Sequence, residues 1–292
     1  MKKSPLILLL LLCTSTIFAQ IGGSVGVNRI KKLVERTTLV VLENDDPVYN
    51  NAIIKATQLH WNFTPVRYIQ REELGKYMPS DDHAMLIRTR RKVEYPLRYK
   101  VLRQEHNDVA LLLCDEDSLK DMPGFFEIAS IELEGLEAWT YKLSGLVGAM
   151  NSYVTFMHEN KADKDVYDKH LKQFTTKRAK ELTALNLLVE PALLPDSLKS
   201  ASSIKLYYPT AASIADQETI QIACDTQDSA SAFIHMENKG NYYQVIRCSD
   251  GAILYQDDLE DQGILQPIDF QRLAAKVEGN NLKYLKLKVT SR

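Results

Sequence analysis

Seven apolar residues in the middle of the chain, Leu136, Trp139, Leu143, Leu146, Met150, Tyr153 and Met157, recur at alternating spacings of three and four. That period belongs to one face of a helix, and it predicts a helix of roughly 23 residues carrying a continuous apolar stripe. A stripe of this length has to be packed, so the centre of the fold is expected to be helical. Gly145 and Gly148 fall inside it, each lowering helix propensity by about 1 kcal/mol relative to alanine. Their use at that cost predicts close approach by another backbone. A polar break at 160–163 and a second helix carrying Val166, Leu171 and Phe174 complete a helical hairpin.

On either side of the hairpin, short apolar runs alternate with helical spacing. Residues 38–42 read as a strand buried on both faces. Asp46-Pro47 then supplies a helix cap and a proline at the first helical position. Tyr49, Ala52, Ile53 and Ala56 continue that helix towards Trp61. Further strands are expected at 66–69, from Met85 onward, at 109–114 and at 125–131. After the hairpin, 184–189, 204–208, 232–236 and 242–248 read as strands. Ser249-Asp250-Gly251 is a hairpin turn into 252–255, and 270–277 is a short helix. Residues 284–289 alternate, with Lys286 and Lys288 on the outer side of an edge strand. The fold class is therefore α/β: two similar mixed-sheet α/β halves, over 20–132 and 184–292, bridged by the helical hairpin of 133–183.

The first nineteen residues predict a compartment. Lys2 and Lys3 precede an apolar run from Leu6 to Leu12, and small residues lead to a cut between Ala19 and Gln20. This is the pattern of a secretory signal peptide. Leu12 ahead of Cys13 does not suit lipidation, and no later run is long enough for a transmembrane segment. The chain is expected to be exported, to the periplasm or outside the cell. Its net charge of −2 becomes −4 when Lys2 and Lys3 leave with the leader, which gives no overall attraction to nucleic acid. Of the three cysteines left, Cys114 ends an apolar run and reads as a small buried hydrophobe, whereas Cys224 and Cys248 are the one candidate pair.

Three landmarks recur in the two halves. A buried strand ends in glutamate at Leu42-Glu43 and at Val189-Glu190. An aromatic and then a proline follow, in Phe63-Thr64-Pro65 and in Tyr207-Tyr208-Pro209. An asparagine lies seven places before a strand-ending cysteine, at Asn107 and Cys114 and at Asn241 and Cys248. These landmarks predict an internal duplication. The order of elements, with a late hairpin Tyr242-Tyr243-Gln244-Val245-Ile246 and Asp250-Gly251-Ala252-Ile253-Leu254, resembles the small α/β domains of envelope proteins such as the TolB amino-terminal domain and curli-secretion lipoproteins. The acylated cysteine of the curli lipoproteins has no counterpart here. The leader ending Phe18-Ala19-Gln20, with Asn50-Asn51-Ala52 and Trp61, is similar to exported proteins of Bacteroidetes-type bacteria. That resemblance implies a compartment and no activity.

Two constellations are candidate sites. Between Arg88 and Arg103 lie Arg88, Arg90, Arg91, Lys92, Arg98, Lys100 and Arg103 against the single acid Glu94, with Tyr95 and Tyr99 interleaved. Arginine forks and aromatic faces suit the phosphate, sulfate or carboxylate groups of an anionic partner. The plainer alternative is a solvated hairpin whose charges keep it soluble. The second constellation is acidic. Glu43 and Asp45 follow the first strand, and Asp115 and Asp117 follow the strand ending at Cys114. If those two strands are parallel neighbours, the four carboxylates meet at the edge where open α/β sheets bind ligands, and could hold calcium or magnesium. Otherwise they are solvated turn residues beside the Asp46 cap.

The sequence contains no phosphate-binding glycine loop, no Gly-x-Ser-x-Gly elbow and no His-Glu-x-x-His pair, and its six histidines lack ligand spacing. The expected function is therefore a non-enzymatic envelope binding or assembly module without a cofactor. Its partner would be an envelope protein or an anionic envelope polymer. The alternative is a metal-assisted hydrolase using the acidic sheet edge.

Overall fold

β1 (Thr37–Leu42) is buried along almost its whole length, as its β-branched, continuously apolar composition requires of a central parallel strand. α2 (Pro47–His60) starts where the sequence places it. Asp46 accepts a hydrogen bond from the Tyr49 N–H at 3.0 Å, with proline at the first helical position. In this computed structural model, residues 27–77, 82–97, 100–114, 125–133, 140–161, 178–237, 242–261 and 263–278 are described, with 27, 90–97, 100–107, 114, 125, 126, 132 and 237 described as backbone only. The leader, the second helix of the expected hairpin and the expected strand at 284–289 lie outside the described residues.

The first half continues with β2 (Val66–Gln70), α3 (Leu74–Tyr77), β3 (His83–Leu97), β4 (Lys100–Cys114) and β5 (Phe125–Glu132), and α1 (Val27–Val34) precedes β1. Its five-stranded sheet has the order β2-β1-β3-β4-β5. β1 pairs in parallel with β2 and β3, and β3, β4 and β5 pair antiparallel in turn. The second half contains β6 (Asn186–Val189), α5 (Ala201–Lys205), β7 (Ala212–Ile214), α6 (Gln217–Asp225), β8 (Ser231–Glu237), β9 (Tyr242–Arg247), β10 (Ile253–Asp258) and α7 (Pro267–Val277). Its sheet order, β7-β6-β8-β9-β10, repeats the first. β6 is parallel to β7 and β8, and the remaining pairs are antiparallel. The chain is thus mixed α/β with two similar halves. The landmarks take matching places: Glu43 and Glu190 follow the central parallel strands, Pro65 and Pro209 precede their parallel neighbours, and Cys114 and Cys248 close β4 and β9.

The central helix, α4 (Leu143–Glu159), is more deeply packed than a one-sided stripe implies. Every residue from Leu143 to Met150 is buried. One apolar cluster joins α4 to Val40, Leu86, Leu111 and Ile128 of the first sheet and to Leu188, Phe233, Ile246 and Ile253 of the second. α4, α2 and α6 therefore form a helical layer between two sheets. The Asp225 carboxylate fastens that layer, accepting from Lys55 of α2 at 2.7 Å and from Ser144 of α4 at 2.6 Å. Gly148 meets another backbone, as expected: a Cβ there would lie 3.1 Å from the Gly251 Cα. Gly145 instead makes room for a ring, since a Cβ would lie 2.6 Å from Phe233. The stripe residues Leu136 and Trp139 lie outside the described residues, and a 3-10 turn (Thr140–Lys142) leads into α4.

Two expectations in the second half are corrected. Residues 204–208 are not a strand. Ser200 accepts from the Ser203 N–H and nucleates α5, which ends in a turn at Leu206 and Tyr207. The strand follows Pro209, as β7. The run 184–189 is also shorter as a strand, because a 3-10 helix occupies Ala179–Ala184.

The hairpin of β3 and β4 extends past its neighbours. β3 pairs with β1 only from His83 to Leu86, and β4 pairs with β5 only from Asp108 to Cys114. β3 and β4 nevertheless pair with each other out to Leu97 and Lys100. The eight pairs from Arg90–Asn107 to Leu97–Lys100 form a two-stranded arm roughly 25 Å long at ~3.3 Å per residue. Among the described residues, no strand flanks it on either side.

Candidate functional site

At the carboxyl ends of β1 and β2, beside the stretch of β3 where its pairing with β1 stops, a cleft of about 670 Å³ is lined by Glu43, Asn44, Asp45, Asp46, Arg71, Ile87, Arg88 and Thr89. Each wall follows from the strand ends. Glu43 comes directly after β1, Arg71 directly after β2, and Arg88 lies within β3 just beyond its last pair with β1. The Arg71 guanidinium grips both oxygens of Glu43, with Nε donating at 2.8 Å, and also donates to the Arg88 carbonyl at 2.7 Å. Asn50 of α2 fixes the Glu43 backbone, accepting from its N–H at 2.8 Å and donating to its carbonyl at 2.7 Å.

Arg88 is drawn into the same cleft. It donates to Asp46 at 2.7 Å, its side chain is only 10% exposed, and its guanidinium lies 5.5 Å from the centre of the Tyr49 ring. The Tyr49 N–H bond, with Arg88 assisting against the cost of burial, holds the Asp46 carboxyl below its ordinary range. Burial and then the Glu43 charge push the Tyr49 hydroxyl far up, so it stays protonated.

The two sequence constellations fare differently. Glu43 and Asp45 share the cleft, but Asp115 and Asp117 lie outside the described residues. The strand they follow is not a parallel neighbour of β1. β3 lies between them, and β4 runs antiparallel, so Leu113 pairs with Ala84 beside the amino end of β1. The end of β4 therefore lies at the opposite end of the sheet from Glu43, so the parallel adjacency on which a four-carboxylate edge depended is absent. Among the described residues no group of three or more histidine, cysteine or acidic side chains is placed to hold a metal ion.

In the basic constellation, Arg88 is withdrawn into the cleft, and this corrects its expected place in an exposed patch. Arg90, Arg91 and Tyr95 lie on the β3 side of the arm and Lys100 begins the β4 side, while Arg98 and Tyr99 lie outside the described residues. Sequence reasoning missed Arg71 and Asn50. Arg71 could have been found as the first residue past β2, at the same edge as Glu43.

The matching edge of the second half is closed. Glu190 accepts from the Tyr141 hydroxyl and pairs with the Lys142 ammonium, all three side chains being buried. His235 on β8 is buried nearby, and desolvation followed by the Lys142 charge lowers its pKa well below the ordinary value. One half thus has an open, ion-paired edge, and the other has an edge plugged by the chain entering α4. No family model, curated protein or solved structure matches this chain. The resemblance to TolB-type and curli-type domains therefore rests on element order alone.

Proposed function

We propose that this chain is an exported, non-enzymatic binding module that docks on an anionic envelope protein or polymer through the arm of β3 and β4. The observation that carries the reading is the arm itself: eight strand pairs that continue beyond both neighbouring strands. Residues 90–107 hold Arg90, Arg91, Lys92, Arg98, Lys100 and Arg103 against Glu94 and Glu105, a net +4 in a chain of net −2. A two-stranded ribbon is at best marginally stable alone in water, so a long one carrying concentrated charge gains most by contact with a complementary surface.

We also read the two halves as an internal duplication, supported by their common strand order and three matched landmarks. On that reading the arm is a specialisation of the first copy, because the corresponding β8 and β9 have only seven and six residues. The cleft favours binding over hydrolysis: Arg71 and Arg88 engage Glu43 and Asp46, which leaves Asp45 as the remaining carboxylate of the lining.

The test is co-sedimentation with isolated cell envelopes across a salt series. Capture should weaken as the screening length falls from about 30 Å at 0.01 M to about 8 Å at 0.15 M salt. Changing Arg90, Arg91 and Arg98 together to glutamate should abolish capture at low salt and leave the melting temperature almost unchanged. Undiminished capture by that variant would reduce the arm to a solubilising hairpin and end the proposal.

A further inference from the structure

Cys224 and Cys248 come from different elements that pack on the same stretch of α4. Cys224 lies in the last turn of α6, its sulfur 3.2 Å from where a Cβ on Gly145 would be. Cys248 follows β9 and donates its N–H to the Ser231 carbonyl at 3.0 Å. The turn after it, at Asp250 and Gly251, rests on Gly148, one helical turn along from Gly145. Both cysteines are fully buried within a single apolar cluster. The structure contains them as unlinked thiols.

We propose that Cys224 and Cys248 form a native disulfide that closes while the exported chain folds, stapling α6 to the β9–β10 turn. The proposal rests on the reading of export. One cysteine thiolate attacks a disulfide of an envelope oxidant, either a dithiol–disulfide protein or glutathione disulfide, and releases one of its sulfurs as a thiolate. The second cysteine thiolate then attacks the mixed disulfide and releases the other. Two protons and two electrons leave the pair, and the oxidant departs as two thiols. The bond has to close before α6 packs. In the folded reduced form the neighbouring Cys224 thiol and then burial raise the Cys248 thiol far above its usual range, leaving almost no attacking thiolate.

The first experiment is independent of compartment. The full chain is reduced, unfolded and refolded with glutathione and glutathione disulfide, then acid-quenched, denatured, alkylated and digested. The expected result is one linked species containing the Cys224 and Cys248 peptides, lost on reduction. Alkylation of both residues in correctly refolded protein, or a link from either to Cys114, would overturn the proposal. The same mapping on material from producing cells separates the two readings. Retention of residues 1–19 would count against export alone, whereas a processed chain with both cysteines alkylated would count against the disulfide. Cys224→Ala should lower the melting temperature by roughly 10 °C without reductant, as expected for loss of a link that closes a loop of this size. With reductant it should differ much less from the parent; an equal drop in both conditions would mean that the side chain only fills space.

Discussion

Glu43 and Glu190 hold the same place in two sheets, and their surroundings predict different consequences for the same substitution. Lys142 is paired with Glu190 at 7% and 8% side-chain exposure. Glu190→Gln should therefore strand a buried ammonium and cost about 3–5 kcal/mol. The Arg71 partner of Glu43 is 38% exposed, and water can take up the loss, so Glu43→Gln should cost about 1 kcal/mol. Urea denaturation of the two variants measures the contrast. Both glutamates were visible in the sequence as strand-ending acids. Their partners were not, because Arg71 and Lys142 are brought to them by tertiary packing across 28 and 48 residues of chain, and no local pattern encodes that. The buried histidines carry a second expectation. Desolvation lowers the pKa of both His60 and His235 from the ordinary 6.5. Below about pH 6.5 the unfolded chain binds protons that the folded chain refuses, so stability should fall with pH from there down towards the depressed folded values, by at most about 1.4 kcal/mol per pH unit for each histidine. Denaturation midpoints between pH 7.5 and 5.5 should show this decline, and His60→Gln should flatten it.

Among the elements, those announced by a cap or a turn were the legible ones. Asp46-Pro47 set the start of α2, and Ser249-Asp250-Gly251 set the β9–β10 turn, where Gly251 adopts φ +69° against the α4 backbone. Ile204, Tyr207 and Tyr208 have strand-like composition, whereas the Ser200 cap ahead of them decides for a helix. α6 went unrecognised although Asp216 caps it and Ile220, Ala223 and Cys224 give the helical spacing; at nine residues its signal is short. The α4 stripe marks a packed face, but periodicity cannot reveal a helix enclosed from both sides. Leu143, fully buried between the two sheets, should make this measurable. Leu143→Ala should cost about 2–5 kcal/mol in chemical denaturation, and a cost below about 1 kcal/mol would place that face in solvent.

At the scale of the molecule, the two similar halves were legible from repeated landmarks, but their mutual dependence was not. The sequence divides at the hairpin as if into two domains with a bridge. In the fold, α4 lies in an apolar cluster shared by both, and Phe233, Cys224 and Ile246 of the second half belong to it, while Tyr243, Phe270 and Leu273 form a separate cluster within the second half. The expected outcome is one cooperative thermal transition by calorimetry, with calorimetric and van't Hoff enthalpies in agreement. Residues 184–292 expressed alone should fail to show it, and two resolved transitions in the whole chain would contradict the shared core. The arm has a consequence of a different kind. Its +4 leaves −6 on the remainder of the chain, and the strand pairing carries the positive end roughly 25 Å outward along the ribbon. The molecule is in effect a permanent electric dipole with a handle. In the field of a negatively charged surface it experiences a torque before it makes any contact, and it would arrive already turned, ribbon first.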